Sequence, residues 1–445
     1  MAETDAASSI ALSEAAFARA RKVMPGGVSS PVRAWGAVGG TPRFLKEGEG
    51  CRVTDLDGRE YIDYIASYGP LIAGHANDRI LTAISKAAGR GTTFGCPTTC
   101  ETKLAETIAG AFDSIEMTRF VSSGTEAVMS ALRLARAATG RPKVVKCIGC
   151  YHGNVNALLA ESSGEDGDSV VPSSPGVTEA MVANTLLVPY NDLESARRMF
   201  EKHPENIACF IVEPIAANMG LVKPKDGYLQ GLRELCDEFG AMLVFDEMIT
   251  GFRVAWGGAQ TLLGVTPDLT CLGRIIGGGL PVGAYGGRRE LMEQVSPTGP
   301  VYQAGTLSGN PVVMMAGLAT LEILADQGEP GPYEILEAAA GSLEAGLREA
   351  AGDAGVPLTI NRAGSMIGLY LTESTDTPVD NFDAVLAASG ERFATLFHAM
   401  LDRGVMLAPS RFEAMFIGLA HTADDVEHTL EAAREAFKVV AEQLD

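Results

Sequence analysis

An apolar run that ends in two carboxylates constrains the fold of this chain more than any other part of its sequence. Residues 241–245 are all apolar, and Asp246 and Glu247 follow them directly. Such a run is typical of a buried strand in a parallel sheet, and open α/β sheets bind ligands at the carboxyl ends of their strands. The sequence therefore predicts an α/β fold in which Asp246 is the polar end of a buried strand and faces a pocket.

A second strand end is expected to bring a cation to the same pocket. Residues 269–272 form another short run, and Gly273, Arg274 and a glycine-rich turn follow it. Strand-like and helix-like segments alternate along this part of the chain, which implies right-handed crossovers and a mostly parallel sheet. We therefore expect Asp246 and Arg274 to face one pocket.

The charge and cysteine content argue against several classes of function. The chain has 445 residues and a formal net charge of −21, which would repel nucleic acid and anionic membranes. No apolar run reaches transmembrane length, and the acidic start does not resemble a secretory signal. Eight scattered cysteines predict reduced thiols in a cytoplasmic protein. One pair, Cys147 and Cys150, has C-x-x-C spacing, but without a second pair it does not predict a metal site.

A tight turn at residues 122–125 is a candidate phosphate site. It stands between an apolar strand and a predicted helix, so the hydroxyls and backbone N–H groups of Ser122, Ser123, Gly124 and Thr125 would lie at the positive end of the helix dipole. The same residue types also form an ordinary helix cap. The residues alone leave both interpretations open.

Five segments, in this order along the chain, carry a resemblance to a known family. They read SSPVRAW (29–35), FVSSGTEA (120–127), LVFDE (243–247), LGRIIGGGLPVGAYGG (272–287) and LAPSRFEAMFIGLAHT (407–422). This set resembles the class III pyridoxal-phosphate aminotransferases, and within them the glutamate-1-semialdehyde 2,1-aminomutase branch. The resemblance implies a fold type I transferase, with a mostly parallel seven-stranded-type sheet in a large domain and a smaller α+β domain.

Turn-rich segments suggest where the domains begin and end. We expect an N-terminal segment and part of the small domain at 1–66, the large cofactor-binding domain at 67–325, and the C-terminal small domain at 326–445. The last boundary falls on the segment DQGEPGP. Apolar periodicity then predicts helices at 333–351, 384–403 and 423–444.

The resemblance also implies a pyridoxal 5'-phosphate (PLP) or pyridoxamine 5'-phosphate (PMP) cofactor. In this family an aspartate, here Asp246, keeps the pyridine nitrogen protonated so that the ring can accept electrons. Tyr151 would stack on the ring with His152 beside it, and Thr306 would reach the cofactor phosphate of a neighbouring subunit across a homodimer interface. The other implied cofactor-binding residues are Ser123, Gly124, Thr125, Asn218 and Met248.

A small amino-acid-type molecule is the implied substrate. Arg33 is a lone cation in an apolar, turn-rich loop, which suits the bidentate binding of a carboxylate. By resemblance, Ser30, Tyr68 and Glu413 complete the substrate contacts, although the family usually has tryptophan at the position of Tyr68. The implied activity is an intramolecular amino transfer that forms 5-aminolevulinate, a tetrapyrrole precursor.

Position 274 differs from the family at the residue on which the family's catalysis depends. The family has a catalytic lysine there that forms a Schiff base with the cofactor, whereas this chain has Arg274. A guanidinium keeps its proton at any working pH and so cannot be the neutral amine nucleophile. We therefore expect a non-covalently held cofactor and a turnover that is lost or altered, unless another lysine such as Lys146 takes over.

Three functions remain open on the sequence. The chain is an aminomutase altered at its lysine, a lysine-less paralogue that acts on another amino or keto substrate, or a non-catalytic partner that lends Thr306 to another chain. Two further departures favour the paralogue: Tyr68, where the family usually has tryptophan, and Ser122, where it usually has asparagine. A single altered residue at 274 would leave the other pocket residues as they are in the family.

An acidic segment at 161–168 favours the same interpretation. The family has a gating loop here that is rich in Gly, Ala and Thr, whereas this chain has Glu165, Asp166 and Asp168. Its Gly, Ser and acidic content predicts a mobile loop. The charges put the family's gating, and its anionic substrate, in question.

Overall fold

The chain forms two compact units in this computed structural model, which describes residues 10–164, 167–375 and 377–444. The larger unit contains Asp78–Tyr333 and Asp380–Ala384, and the smaller contains Met1–Asn77, Glu334–Val379 and Val385–Asp445. The chain thus passes between units at 77/78, 333/334, 379/380 and 384/385, whereas the sequence suggested 66/67 and 325/326.

Helices and strands alternate through the larger unit and are mixed in the smaller one. The α-helices are α1 Ala11–Ala20, α2 Asp78–Ala88, α3 Thr99–Ala111, α4 Gly124–Thr139, α5 Glu179–Val182, α6 Leu193–Lys202, α7 Tyr228–Phe239, α8 Gly258–Leu263, α9 Arg289–Met292, α10 Pro311–Leu324, α11 Pro332–Asp353, α12 Phe382–Ala387, α13 Gly390–Leu401 and α14 Ala423–Ala441. The strands are β1 Leu45–Glu49, β2 Arg52–Asp55, β3 Glu60–Asp63, β4 Met117–Val121, β5 Lys143–Cys147, β6 Ala160–Ser162, β7 Val170–Pro172, β8 Thr185–Val188, β9 Ile207–Val212, β10 Met242–Asp246, β11 Leu269–Gly273, β12 Gly283–Gly287, β13 Leu358–Ala363, β14 Met366–Leu371, β15 Val405–Met406 and β16 Met415–Phe416. Among the described helices, none has the length and apolarity needed to cross a membrane.

A seven-stranded sheet forms the centre of the larger unit, in the order β4-β12-β11-β10-β9-β5-β8. β10 pairs in parallel with β9 and β11, and β5 pairs in parallel with β9 and β8. β12 runs antiparallel to both β11 and β4. The mostly parallel seven-stranded sheet expected from the sequence is confirmed.

This topology places the predicted functional groups along one edge of the sheet. Because β12 is antiparallel to both of its neighbours, β4 points in the same direction as β10 and β11. Helix α4 follows β4, so its N-terminus lies at the same edge as the carboxyl ends of β10 and β11. Helix α4 packs on the sheet through small and aliphatic side chains, and Ala131 and Leu134 share a buried cluster with Val244 and Cys271. This burial fixes the helix relative to the strand ends.

The smaller unit contains one mixed sheet, in which β15 runs parallel to β3, one antiparallel sheet, and three long helices around one apolar cluster. Its sheets have the orders β1-β2-β3-β15 and β13-β14-β16. Phe397 of α13 and Phe437 of α14 are fully buried in that cluster, together with Ile62 of β3 and Leu343 of α11. This is the α+β domain that the resemblance implied.

The helix expected at 384–403 is two helices, α12 and α13, so that expectation is wrong. Ser389 separates them and caps α13, because its hydroxyl accepts a hydrogen bond from the backbone N–H of Arg392 at 3.2 Å. Serine before glycine favours a cap over a helix interior, and here this local preference prevails over the apolar periodicity.

The acidic segment lies at a pair of short strands, and its mobility stays a prediction. Strands β6 and β7 pair antiparallel on either side of it. One oxygen of Asp168 lies 2.7 Å from Nζ of Lys202, and the other accepts from Nε2 of His203 at 2.8 Å. Helix α6 therefore offsets the charge of Asp168, while Glu165 and Asp166 lie outside the described residues.

Candidate functional site

A cavity of about 210 Å³ in the larger unit collects many of the predicted cofactor-binding residues. It lies at the carboxyl ends of β10 and β11 and at the N-terminus of α4. Its lining residues are Gly124, Thr125, Val128, Tyr151, His152, Gly153, Asn218, Asp246, Met248, Arg274 and Val282. The two strand ends therefore bring Asp246 and Arg274 to one cavity, as the sequence predicted.

Asp246 is held in the wall of this cavity through both of its oxygens. Nδ1 of His152 donates to Oδ2 at 2.8 Å, and the backbone N–H of Met248 donates to Oδ1 at 3.1 Å. Both His152 and Asp246 are buried. Burial lowers the pKa of His152, although the hydrogen bond to Asp246 acts the other way. The histidine is therefore a neutral donor that orients the carboxylate without adding a positive charge.

Glu213, which the sequence analysis did not select, fixes the wall that carries Tyr151. Its Oε1 accepts from the backbone N–H of Tyr151 at 2.9 Å, and its Oε2 accepts from the N–H of Ala217 at 3.1 Å and from Nδ2 of Asn218 at 2.9 Å. One buried carboxylate thus sets both Tyr151 and Asn218. Glu213 follows the apolar strand β9 just as Asp246 ends β10, and that pattern was the signal that could have found it.

The pH dependence of stability should report this buried carboxylate. Burial, reinforced by the charge of Asp246, raises the pKa of Glu213 from 4.5 to about 7. The folded state therefore binds this proton more tightly than the unfolded state, so the stabilisation is complete below pH 4.5 and is lost as the pH rises through about 7. We expect the free energy of unfolding, measured relative to Glu213→Gln, to fall by roughly 3 kcal/mol over that interval.

Urea unfolding of the wild type and Glu213→Gln at a series of pH values across this interval measures the difference. Glu194→Gln is the matched control, because Glu194 is exposed on α6 and its substitution should give a nearly flat difference. A flat difference for Glu213→Gln as well would contradict the raised pKa.

The N-terminus of α4 offers backbone N–H groups to an anion. The first-turn N–H groups of a helix have no intrahelical acceptor, and α4 begins at Gly124. Ser123 is the N-cap of α4, because its hydroxyl accepts from the N–H of Glu126 and donates to the Glu126 carboxylate. It is not among the residues that line the cavity. Gly124 and Thr125 are therefore the residues of this turn that face the cavity.

Gly153 leaves room beside that turn. Its φ is 77°, and a Cβ atom built on it would lie 2.5 Å from Oγ1 of Thr125. Any larger residue would fill the space next to the helix N-terminus. The close approach of the two segments therefore requires glycine.

Arg274 lines the cavity from a left-handed backbone position, with φ of 52°. It opens the helical turn Arg274–Gly277 directly after β11. Burial raises the pKa of Tyr151, and the charges of Arg274 and Asp246 act on it in opposite directions. The guanidinium is thus part of the electrostatic environment of the cavity.

Lys146 does not replace the missing lysine in this geometry. It lies in β5 and is not among the residues that line the cavity. Its Nζ donates to the carbonyl oxygen of Leu158 at 3.3 Å, and burial lowers its pKa. The proposal that Lys146 serves as a substitute amine has no geometric support.

Thr306 lies on another cavity of the larger unit, of about 430 Å³, and not on the one around Asp246. Phe94 lines the same cavity, and Phe94, Tyr302 and Leu307 are exposed although they are large and apolar. Exposed side chains of this kind are typical of a protein interface. The contact of Thr306 with a neighbouring subunit remains a prediction.

The predicted substrate-binding residues all belong to the smaller unit. Arg33 and Tyr68 line one cavity of about 490 Å³, whereas Ser30 and Glu413 are not on its lining. The other lining residues are Trp35, Arg43, Leu45, Asp63, Ile65, Ser67, Leu71, His75, Met406, Leu407 and Pro409.

Tyr68 adds a hydrogen-bond donor to this cavity. Burial, reinforced by the carboxylate of Glu413 and opposed by Arg33, raises the pKa of Tyr68 to about 12. Its hydroxyl therefore stays protonated beside the cation of Arg33. A cation and a neutral donor on one lining suit a carboxylate ligand.

The cavity around Asp246 fits the cofactor that the resemblance implied. Asp246 is a buried acceptor for a ring N–H, Tyr151 presents an aromatic face, and the first turn of α4 suits a phosphate. Nε2 of His152 is buried and has no hydrogen-bond partner among the described residues. Such an atom is normally satisfied by a bound group or a water molecule.

Comparisons with known proteins point to one family. A family model described as aminotransferase class-III matches residues 36–437. Glutamate-1-semialdehyde 2,1-aminomutase 2 of Brevibacillus brevis is 53% identical over 95% of this chain and 97% of the relative. Glutamate-1-semialdehyde 2,1-aminomutase of Roseiflexus castenholzii is 53% identical over 96% of this chain and 97% of the relative.

Solved structures agree with these relatives. An omega-transaminase from Sphaerobacter thermophilus has a TM-score of 0.88 and 34% identity, over 96% of this chain and 97% of that chain. A lysine-to-alanine variant of a glutamate-1-semialdehyde aminomutase from Pseudomonas aeruginosa, in complex with PMP, has a TM-score of 0.86 and 29% identity, over 96% of this chain and 94% of that chain.

Proposed function

The chain belongs to the class III aminotransferase family of fold type I PLP enzymes, and from that premise we propose that it binds PLP or PMP without a covalent link. The observation that carries this proposal is the buried pair of Asp246 and His152 at the end of β10, facing a cavity of cofactor-binding type. Its substrate is a small amino-acid-type carboxylate.

Each wall of the cavity has a separate task in this proposal. The bound cofactor supplies an electron-accepting ring that stabilises negative charge on a substrate carbon. Asp246 holds the proton on the ring nitrogen, and neutral His152 keeps the carboxylate aimed at that proton. Tyr151 covers one face of the ring and excludes water, while the N–H groups of Gly124 and Thr125 bind the phosphate.

Arg33 and Tyr68 bind the substrate carboxylate in the smaller unit. A guanidinium donates two parallel hydrogen bonds to a carboxylate, and the protonated hydroxyl of Tyr68 adds a further donor. In the proposal Ser30 and Glu413 support this contact. The family tryptophan lacks a hydroxyl, so Tyr68 favours a substrate with an additional acceptor.

Arg274 limits the reaction. A permanently protonated guanidinium stabilises negative charge and donates hydrogen bonds, but it does not accept the protons that an amino transfer moves between carbons. Turnover of glutamate semialdehyde to 5-aminolevulinate is therefore lost or altered. A relative in which one lysine has been replaced by alanine is in complex with PMP, which supports cofactor binding in this fold when a lysine is absent.

A lysine-less paralogue acting on another amino or keto substrate is the second candidate. It is favoured by the Tyr68 hydroxyl beside Arg33 and by the pairing of Asp168 with α6, since both features lie outside position 274.

In either case we propose a homodimer in which Thr306 contributes to the neighbouring site. The exposed apolar side chains of Phe94, Tyr302 and Leu307 support that interface.

Titration of the purified chain with PLP tests the proposed function. We expect saturable binding of one cofactor per chain, loss of the cofactor on dialysis, and no mass increase after treatment with borohydride. Absence of binding would contradict the proposal. A borohydride-dependent mass increase would instead show that a lysine other than residue 274 forms a covalent link.

A further inference from the structure

The segment from Ala66 to Tyr68 has an unusual backbone. Its three residues have φ values of 43°, 55° and 66°. None of them is glycine, and L-residues avoid this left-handed region because the Cβ atom approaches the backbone. Consecutive residues of this kind persist only where the surroundings hold them.

Asp63 is the group that holds this turn. Its Oδ1 accepts from the backbone N–H groups of Ile65 at 2.8 Å and Ala66 at 3.2 Å. The carboxylate is 5% exposed, so both bonds are shielded from water. Asp63 thus binds the chain just before and at the start of the left-handed turn.

His75 fixes Asp63 from the other side. Its Nε2 donates to Oδ2 of Asp63 at 2.7 Å. The backbone of His75 is itself anchored, because its N–H donates to the carbonyl oxygen of Gly50 at 2.6 Å and its carbonyl accepts from the N–H of Gly50 at 3.0 Å. The carboxylate therefore cannot turn away from Ile65 and Ala66 without losing this partner.

The turn ends in Tyr68, whose side chain lines the cavity with Arg33. Asp63 and His75 line it as well. We infer that Asp63 and His75 are positioning residues that set the place of the Tyr68 hydroxyl beside Arg33 and thereby tune the affinity for a substrate carboxylate. The link to a substrate rests on the proposed function, whereas the positioning of Tyr68 does not.

Two substitutions of Asp63 separate positioning from simple stabilisation. Asp63→Ala removes the oxygen that accepts from both N–H groups, so the turn should relax and Tyr68 should leave its partly buried place. Asp63→Asn keeps a side-chain oxygen for the two N–H groups, and His75 can accept from the new amide after a change of tautomer. Asp55→Ala is the matched control, because Asp55 is also buried in the smaller unit but accepts from Tyr61 and Arg59 instead.

The first measurement needs no ligand. In protein labelled with difluorotyrosine, the ¹⁹F signal of Tyr68 is assigned by its absence in Tyr68→Phe, and its ionisation is followed with pH. We expect Asp63→Ala to lower the pKa of the Tyr68 signal by about one unit or more, since exposure removes the desolvation that raises it. Asp63→Asn should lower it less, because this change removes only the carboxylate charge, which also raises the pKa of Tyr68, and Asp55→Ala should leave it unchanged. An equal shift in Asp63→Ala and Asp63→Asn would mean that charge alone acts on Tyr68, which overturns the inference.

The second measurement is the affinity of the PLP-loaded chain for 5-aminolevulinate. Asp63→Ala should weaken binding about tenfold, while Asp63→Asn and Asp55→Ala should bind as the wild type does. If 5-aminolevulinate does not bind the wild type, the proposed substrate class fails, and the ¹⁹F titration still decides whether Tyr68 is positioned by Asp63.

An unchanged Tyr68 signal in Asp63→Ala overturns the inference, as does an equal effect of Asp63→Ala and Asp55→Ala. If Asp63→Ala does not fold, His75→Ala takes its place, because it removes only the outer partner of the carboxylate. It should shift the Tyr68 signal in the same direction, and an unchanged signal there also overturns the inference.

Discussion

Replacing Arg274 with lysine is expected to turn a chain that releases PLP on dialysis into one that retains it through a covalent link. Position 274 already lies on the lining of the cavity that contains Asp246 and Tyr151, so a lysine there would place an amine among them. A positioned acid–base group contributes about 10²–10⁴-fold to a rate. We therefore expect the conversion of glutamate semialdehyde to 5-aminolevulinate to rise by at least about a hundredfold.

Two observables measure this gain, namely the mass of the chain after borohydride treatment and the formation of 5-aminolevulinate. Arg274→Met is the control, because it removes the guanidinium without adding an amine, and it should gain neither. The gain should persist when Lys146→Met is added. Covalent retention without 5-aminolevulinate would support the paralogue with another substrate, and failure of both would contradict the proposed role of position 274.

Substitution of Asp246 by asparagine should reduce the affinity for PLP at least about a hundredfold, because breaking a buried ionic pair costs roughly 3–5 kcal/mol. The side chains are similar in size, so the change removes the charge and leaves the space. The amide has only one accepting oxygen, so it cannot accept from both His152 and Met248 as the carboxylate does. It also offers no negative charge to the ring nitrogen.

Fluorescence or absorbance titration with PLP gives the two dissociation constants. Asp192→Asn serves as the control, since Asp192 caps α6 and is not on the cavity lining, and it should leave the affinity unchanged. Thermal unfolding of both variants shows whether the fold is intact. Wild-type affinity in folded Asp246→Asn would remove the main support for the cofactor site.

The strand ends were predictable because they combine two strong signals. A short apolar run predicts a buried strand, and a charged residue at its end predicts a solvent-facing or ligand-facing edge. Asp246 at the end of β10 and Arg274 directly after β11 follow this rule. The order of the seven strands depends instead on pairings between distant segments, and no local pattern encodes it.

The remaining site residues depend on contacts that the sequence does not display. Glu213 acts through N–H groups of two separate loops, and its position after a strand was the only local signal. The left-handed turn at Ala66–Tyr68 has no glycine or asparagine to indicate it. Asp63, which accepts from Ile65 and Ala66, is close in sequence, but its partner His75 is twelve residues away, and no local pattern indicates that contact.

The backbone contacts of the antiparallel strand β12 bear on which substitutions the cavity tolerates. Gly283 in β12 pairs with Gly273 on one side and with Val121 on the other, and a Cβ at Gly283 would lie 2.2 Å from the carbonyl oxygen of Ser123. Main chains therefore meet here with no side chain between them, directly beside the lining residues Gly124 and Val282, and this contact does not depend on the side chain at 274. Under the proposed function, a substitution at position 274 can therefore change turnover while the backbone next to the cofactor site stays as it is. Loss of the reaction and loss of cofactor binding are then separable changes.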